Sequence, residues 1–399
     1  MTKDKSVREP LFHIVKRDSM KAGKKVAVYA IALISALVIT SIFCSLSSKN
    51  SKTPFDMLIS LFSGAFGTER KIFLFLRDTS LLLVVSLALI PAFKMKFWNL
   101  GANGQITIAS LACYACMISL KDSAISEFLY CIILVLASIT AGIIWAVIPA
   151  IFKAFFKTNE SLFTLMMNYI AAGLVTVMIT VWFPKGSGSV EPIERGIPAI
   201  GTEYRFILVI LIAALLTTIM YFYLGRSKHG YELTVVGESE NTAKYAGMNV
   251  KKIVIRTLVL SGAICGLVGL LLTANISKTV SINLVDNRGF TAIMAAWLGK
   301  FSPFIVIGTS AFITFISRGA AQVKQDFGFT NDALTSTVLG IIYFFIIGCE
   351  FFLSYKLIFR EKNNKRELNF DIGAKPEGKN NISVATVSAE ETNNDGGKE

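Results

Sequence analysis

Long apolar runs separated by short polar stretches dominate the chain, and none alternates with the period of two that a membrane strand needs. Runs from Val26 to Leu46, Phe128 to Phe152, Leu162 to Phe183, Phe206 to Leu224, Ile253 to Ala274 and Leu334 to Leu353 come near the roughly 20 residues an α-helix needs to cross hydrocarbon. Four others are shorter or interrupted. Leu81 to Phe93 runs into Lys94 and Lys96, Gln105 to Ser119 follows a glycine-rich turn, and Gly299 and Pro303 separate Phe290 to Leu298 from Phe304 to Ile316. Lipid admits only helices or closed barrels, so the pattern predicts an all-α polytopic membrane helix bundle of about ten transmembrane helices, two of its segments broken or re-entrant.

The flanks differ in character. Residues 1–25 form a basic N-terminal stretch, 26–355 the membrane domain, and 356–399 a polar tail expected to be disordered because it has few large apolar residues. The outer segment between Ser47 and Asp78 carries an apolar face that suits either the membrane interface or packing on the bundle.

Composition agrees. Hydrophobic residues make up 53% of the chain, and charged residues 17% against roughly 25% in soluble domains. Mean hydropathy is +0.58. Lys and Arg are denser in the alternate segments that include both ends, which predicts cytoplasmic termini. The net charge of +13 is spread over span edges, not gathered on one face with interleaved aromatics, so a nucleic-acid partner is not expected. The basic stretch from Lys3 to Lys25 suits contact with anionic membrane lipid. The first span is too long for a signal-peptide core and lacks a small-x-small cleavage site, so it reads as an uncleaved anchor. All six cysteines fall within predicted spans; the CxxC spacing at Cys113 and Cys116 reads as packing, with no metal expected.

The chemistry available is sparse. No GxxxxGK[ST], HExxH or Ser-His-Asp arrangement is present, and His13 and His229 are the two histidines, so no catalytic residue and no cofactor is predicted. Ion-coupled carriers place ionisable groups deep in their spans. Here Arg77, Asp78, Glu160 and Glu350 sit near span edges, and Arg256 lies within a turn of a span start. Energy is therefore expected from another subunit, with an ion-coupled secondary carrier as the competing class.

Other features bear on transport and packing. Asn99, Gly101, Gly104 and Gln105 put amides and flexible backbone beside a span, and Gly289 and Phe290 begin a second glycine-marked break in the later half. Irregular backbone at that depth is tolerated against protein or a water-filled path, so these residues line a translocation path or form tight turns. Asn168, an isolated amide in the fifth span, suits an interhelical hydrogen bond or the path; Gly262, Gly266 and Gly269 form a stripe for close helix approach. Residues 225–252 read as a cytoplasmic coupling loop, with a polar helix starting near Glu238 to Asn241 and stopping at Gly247.

The run NLGANGQ at 99–105 resembles the NxGxxGQ signature of permease subunits of bacterial nucleoside ABC importers, within the branched-chain amino acid and ribose permease superfamily. LFSGAFG at 61–67, VVGESENTAKYAGMNV at 235–250, SGAICGLVG at 261–269 and GFTAIMAAWLGKFSP at 289–303 extend the likeness. The resemblance implies a type II importer-like fold in the cell inner membrane. It also implies that Glu238, Asn241, Ala243 and Gly247 dock onto a cytoplasmic ABC ATPase. A second permease subunit, identical or paralogous, and a substrate-binding lipoprotein complete the implied assembly. The implied solute is a nucleoside, a purine one in preference, with a pentose or branched-chain amino acid as runner-up. Asn103 departs from the pattern, standing where the family commonly has an acid.

Overall fold

In a computed structural model, residues 12–16, 22–47, 53–183, 189–197, 207–329 and 333–359 are described. The helices are α1 (Ala22–Ser47), α2 (Pro54–Phe66), α3 (Glu69–Lys94), α4 (Ala102–Ser119), α5 (Glu127–Phe156), α6 (Glu160–Trp182), α7 (Ile207–Arg226), α8 (Lys228–Glu238), α9 (Glu240–Tyr245), α10 (Val250–Leu270), α11 (Arg288–Leu298), α12 (Pro303–Asp326) and α13 (Ala333–Ser354). Seven residues, Leu271–Ser277, continue α10 as a π-helix.

Among the described residues, eight helices are long and apolar enough to cross a membrane: α1, α3, α5, α6, α7, α10 with its π segment, α12 and α13. Two of the four short runs belong to full-length helices. The run at Leu81 sits within the 26 residues of α3, and that at Phe304 within the 24 of α12. Sequence pattern hid these lengths because both helices carry charges within them, several of which are paired. Asp78 on α3 bonds Arg77 and Arg318. Lys71 bonds Gln322 at 2.9 Å, and Ser60 of α2 bonds Asp326 at 2.6 Å. The other two expected crossings are shorter: α4 has 18 residues and α11 has 11. At 1.5 Å per residue α11 is about 16 Å long, half of the roughly 30 Å hydrocarbon core. It does not cross.

Packing follows composition. The stretch Leu81 to Phe93 is apolar on every side, and α3 is correspondingly buried all round, with α7, α10, α11 and α12 against it. Small residues let α5, α10 and α4 approach backbone to backbone. A methyl group at Gly266 would lie 2.7 Å from the Ser138 carbonyl oxygen, and one at Gly269 2.7 Å from Ala109 Cβ. The glycine stripe is thus a packing seam. The outer segment resolves in favour of the bundle: α2 buries Met57, Leu61 and Ala65 against α12 and turns Phe55, Ile59 and Phe62 outward. Its start is fixed by a reciprocal cap between Thr53 and Asp56.

Among the described residues, one element departs from all-α. Strands β1 (Phe12–Lys16) and β2 (Tyr355–Phe359) pair antiparallel, Phe12 opposite Phe359 and Lys16 opposite Tyr355, as a compact unit of their own. The tail beyond 359 and the N-terminal residues other than 12–16 and 22–25 lie outside the described residues.

Candidate functional site

At the end of α3 the chain reverses through a left-handed lysine. Lys96 has φ 57°, its N–H donates to Phe93 O at 3.0 Å, and the Phe97 N–H donates to Ala92 O at 2.9 Å. This pair of bonds is the Schellman ending. The end of α11 repeats it: Lys300 has φ 50° and donates to Trp297 O at 2.9 Å, while Phe301 donates to Ala296 O at 3.0 Å. The underlying sequences, AFKMKF at 92–97 and AWLGKF at 296–301, share an alanine, an aromatic and Lys-Phe at matching positions. The two endings touch. Phe93 stacks on Phe301 at 5.7 Å, and Trp98 meets Trp297 edge-on at 6.5 Å.

Beyond Trp98 the backbone runs through the interior without secondary structure until Ala102. Asn99 is fully buried; its Oδ1 accepts the Gly101 N–H at 3.0 Å and its Nδ2 donates to Ser261 Oγ at 3.3 Å. Ser261 stands near the middle of the 28-residue helical stretch from Val250 to Ser277, so the break lies at mid-depth. Thr164 and Asn168 of α6 serve the remaining backbone. Thr164 Oγ1 accepts the Leu100 N–H at 3.1 Å. Asn168 Oδ1 accepts the Gly104 N–H at 2.7 Å, and its Nδ2 donates to Leu100 O at 2.8 Å. These are groups that a helix start leaves unpaired and that lipid cannot satisfy.

The second break converges on the first. Asn103 Oδ1 accepts the Gly289 N–H at 2.7 Å, which brings the N-terminus of α11 to that of α4. Neither glycine has room for a side chain: a methyl at Gly104 would lie 2.9 Å from Asn168 Oδ1, and one at Gly289 2.7 Å from Asn103 N. Two positive helix ends therefore meet at a stretch, 97–105, that carries no ionisable residue. Gln105 is buried on the first turn of α4, its side-chain carbonyl without a protein partner among the described residues, and Phe290 is partly exposed. A carboxylate at 103 would serve the Gly289 N–H equally well, and the asparagine retains that bond without the charge.

The loop between α7 and α10 holds two helices, where the sequence suggested one. Glu238 is the last residue of α8, and the short polar helix α9 starts after the cap Ser239, whose Oγ accepts the Thr242 N–H at 3.2 Å. Asn241 and Tyr245 face out, Tyr245 at 92% exposure, while Ala243 is fully buried. Gly247 ends α9 at φ +76°, with Met248 N–H to Ala243 O and Gly247 N–H to Lys244 O both at 3.0 Å, again a Schellman ending. The Glu240 carboxyl is held below its ordinary value, first by its hydrogen bond with Lys244 and further by the charges of Lys157 and Lys153 at the α5–α6 turn.

Behind this surface, His229 is buried between α7 and α10. Its Nδ1 bonds the Tyr223 hydroxyl, and its Nε2 lies 3.4 Å from Thr257 Oγ1. Because Thr257 donates to Ile253 O at 2.7 Å, Nε2 is the side that carries a proton toward it, and the neutral ring that burial favours then leaves Nδ1 to accept from the tyrosine hydroxyl. Burial lowers the His229 pKa and the Arg256 charge lowers it further, against smaller opposing effects of Glu232 and the Ile253 backbone.

The structure thus gathers Asn99, Gly101, Gly104, Gln105, Asn168 and Gly289 at one place and Glu238, Asn241, Ala243 and Gly247 at another. Sequence reasoning passed over Thr164, Tyr245 and the buried role of His229. A threonine four residues before Asn168 on one helix face was the available signal for the first.

Comparison with known proteins follows the same lines. The profile of the family described as branched-chain amino acid transport system, permease component, matches residues 71–347. The guanosine ABC transporter permease protein NupP of Bacillus subtilis (strain 168) is 26% identical over 293 residues, 71% of this chain and 83% of that one. The nucleoside ABC transporter permease protein NupB of Lactococcus lactis subsp. cremoris is 24% identical over 353 residues, 84% and 92% of the two chains. The glucose ABC transporter permease protein TsgB13 of Haloferax volcanii is 26% identical over 296 residues, 69% and 76%.

Proposed function

Given that the chain belongs to the permease-component family of branched-chain amino acid transport systems, we propose that it is the membrane-spanning subunit of an ATP-driven nucleoside importer. It is a multi-pass membrane protein and a transport component, not an enzyme, and its family works with an ATPase partner. Docking of that ATPase falls to α9, with Asn241 and Tyr245 presented outward and Glu238, Ala243 and Gly247 fixing the elbow. The solute passes the junction of α4 and α11, where Asn99, Gly101, Gly104, Gln105, Asn168, Gly289 and Phe290 shape the path. A second permease subunit, identical or paralogous, completes the passage, and a binding lipoprotein outside delivers the solute. The chain sits in the cytoplasmic (inner) membrane with both termini inside.

The observation that carries the choice of solute is the uncharged junction. Residues 97–105 and their partners Thr164, Asn168, Ser261 and Gly289 offer amides, hydroxyls and backbone, and aromatic rings stand beside them. A nucleoside is an uncharged, hydrogen-bonding, aromatic solute that such a surface accommodates. A free amino acid would bring two full charges; the helix ends and Arg288 of α11 suit its carboxylate, but no acid among 97–105 and these partners answers its ammonium group, which makes that transfer expensive. The purine-carrying relative agrees, and a sugar is the remaining runner-up.

Two measurements test this. A P-loop ATPase should copurify with the chain, and uptake should stop on ATP depletion while ion gradients persist. Cells lacking the gene should lose uptake of labelled guanosine or uridine but keep that of ribose; accumulation by purified chain in vesicles without any ATPase sinks the proposal in favour of an ion-coupled carrier.

A further inference from the structure

The last turn of α8 rests directly on the end of α3. A methyl group at Gly237 would overlap the carbonyl oxygen of Lys94, and would stand 3.1 Å from its carbon and 3.3 Å from Met95 Cα. Backbone meets backbone there with no side chain between. The contact is backed on both sides. Leu233 and Val236 of α8 share one apolar core with Phe93, Met95 and Phe97. At its other end α8 is also held close to α7, because a methyl at Gly230 would lie 2.6 Å from the Leu224 carbonyl oxygen.

The position along the chain gives the contact its meaning. Lys94 is the last residue of α3, and after the closed ending at Lys96 and Phe97 the chain enters the mid-depth break at Asn99. No flexible linker intervenes. Phe97 is buried, and the Phe93 ring stacks with Phe301 and meets Trp98 edge-on. A load on α8 is thus delivered, within a few residues, to the backbone that forms the start of α4.

We propose that the last turn of α8 and the closing turn of α3 move as one body with Gly237 as the bearing point. By this route a displacement of α9 reaches residues 97–104 and the junction with α11. Gly237 is a positioning residue: it touches no solute and acts through Lys94 and Met95. The inference rests on the reading of α9 as the ATPase dock, and its test separates the two.

The experiment uses the permease assembled with its ATPase. Amide hydrogen exchange is followed with and without ATP in the peptides covering 240–247 and 97–104, together with guanosine uptake per ATP hydrolysed. In the parent complex ATP should alter exchange in both peptides. Gly237→Ala should retain the ATP response at 240–247, lose it at 97–104, and lower uptake per ATP by about tenfold, a coupling of ordinary size between sites. Gly308→Ala, at a glycine with open space around it, is the control and should behave as the parent. If the parent responds at 240–247 but not at 97–104, the route is wrong whatever the variant does, while the docking reading stands. An unchanged ATP response at 97–104 in a folded Gly237→Ala complex overturns the route as well. If the parent does not respond at 240–247, the docking reading falls and takes this inference with it.

Discussion

Replacing Asn168 with leucine keeps the branching at Cγ, with two bulkier methyl groups in place of the amide, and removes two hydrogen bonds, from the Gly104 N–H at 2.7 Å and to the Leu100 carbonyl at 2.8 Å. Each abandoned backbone group costs about 1–3 kcal/mol when water cannot reach it. Asn168 is half-buried, so the low end applies to both, and the sum is about 2 kcal/mol. That is a factor of roughly 30 in the ratio of folded to unfolded protein. The assay is reversible unfolding in mixed micelles, titrated with sodium dodecyl sulfate. Thr176→Val on the same helix is the reference, because the Thr176 hydroxyl is exposed and merely bonds back to Ala172 O at 2.9 Å. It should stay within about 0.5 kcal/mol of the parent, as exposed substitutions do. If Asn168→Leu matches Thr176→Val, the claim that amide side chains sustain the start of α4 is refuted.

Three further outcomes are expected. Gly247→Ala forces a side chain into a left-handed position where space is open, so about 1 kcal/mol of backbone strain should appear in the elbow alone. Limited proteolysis between 240 and 250 should quicken while the detergent-unfolding midpoint holds. Gly266→Val places carbon against the Ser138 carbonyl and the Ile139 backbone, and should destabilise the α5–α10 pair by about 1–3 kcal/mol or prevent its assembly, read as the same midpoint. His229 has a depressed pKa in the folded state, so the unfolded chain binds the extra proton first. Its stabilising effect is complete above the ordinary histidine value and is lost as pH falls from there through the folded pKa, so stability should decline on acidification from pH 7 toward 5. His229→Gln should flatten that decline, and an unchanged slope would show that another group is responsible.

The helical bundle was legible in the sequence because lipid enforces it: apolar runs of sufficient length have one structural solution. Where the reading fell short, charge was the cause. Arg77 and Asp78 lie in the third turn of α3, and Arg318 and Asp326 in the second half of α12; such charges look like span edges until their partners across the helix pair are known. The expected bundle, with two of its segments broken or re-entrant, corresponds to eight long apolar helices among the described residues and the shorter α4 and α11. The end of α11 at Leu298 was legible from Gly299, where the chain turns. Asn168 was legible as a lone amide in a span, but its two partners are backbone groups 64 and 68 residues away, which no local pattern reveals. The elbow was found from its polarity and Gly247, whereas its division at Ser239 depended on a cap that the sequence spells only weakly.

The matched endings of α3 and α11 make the molecule its own calibration. Lys96→Gly and Lys300→Gly each relax one left-handed residue in a like six-residue setting, although Phe301 beside Lys300 is itself at φ 57°, so their intrinsic effects on stability should be of similar size. Only the first of the two turns lies under α8. Whatever separates the two variants in transport, once the shared part is subtracted, measures the neighbour and not the turn.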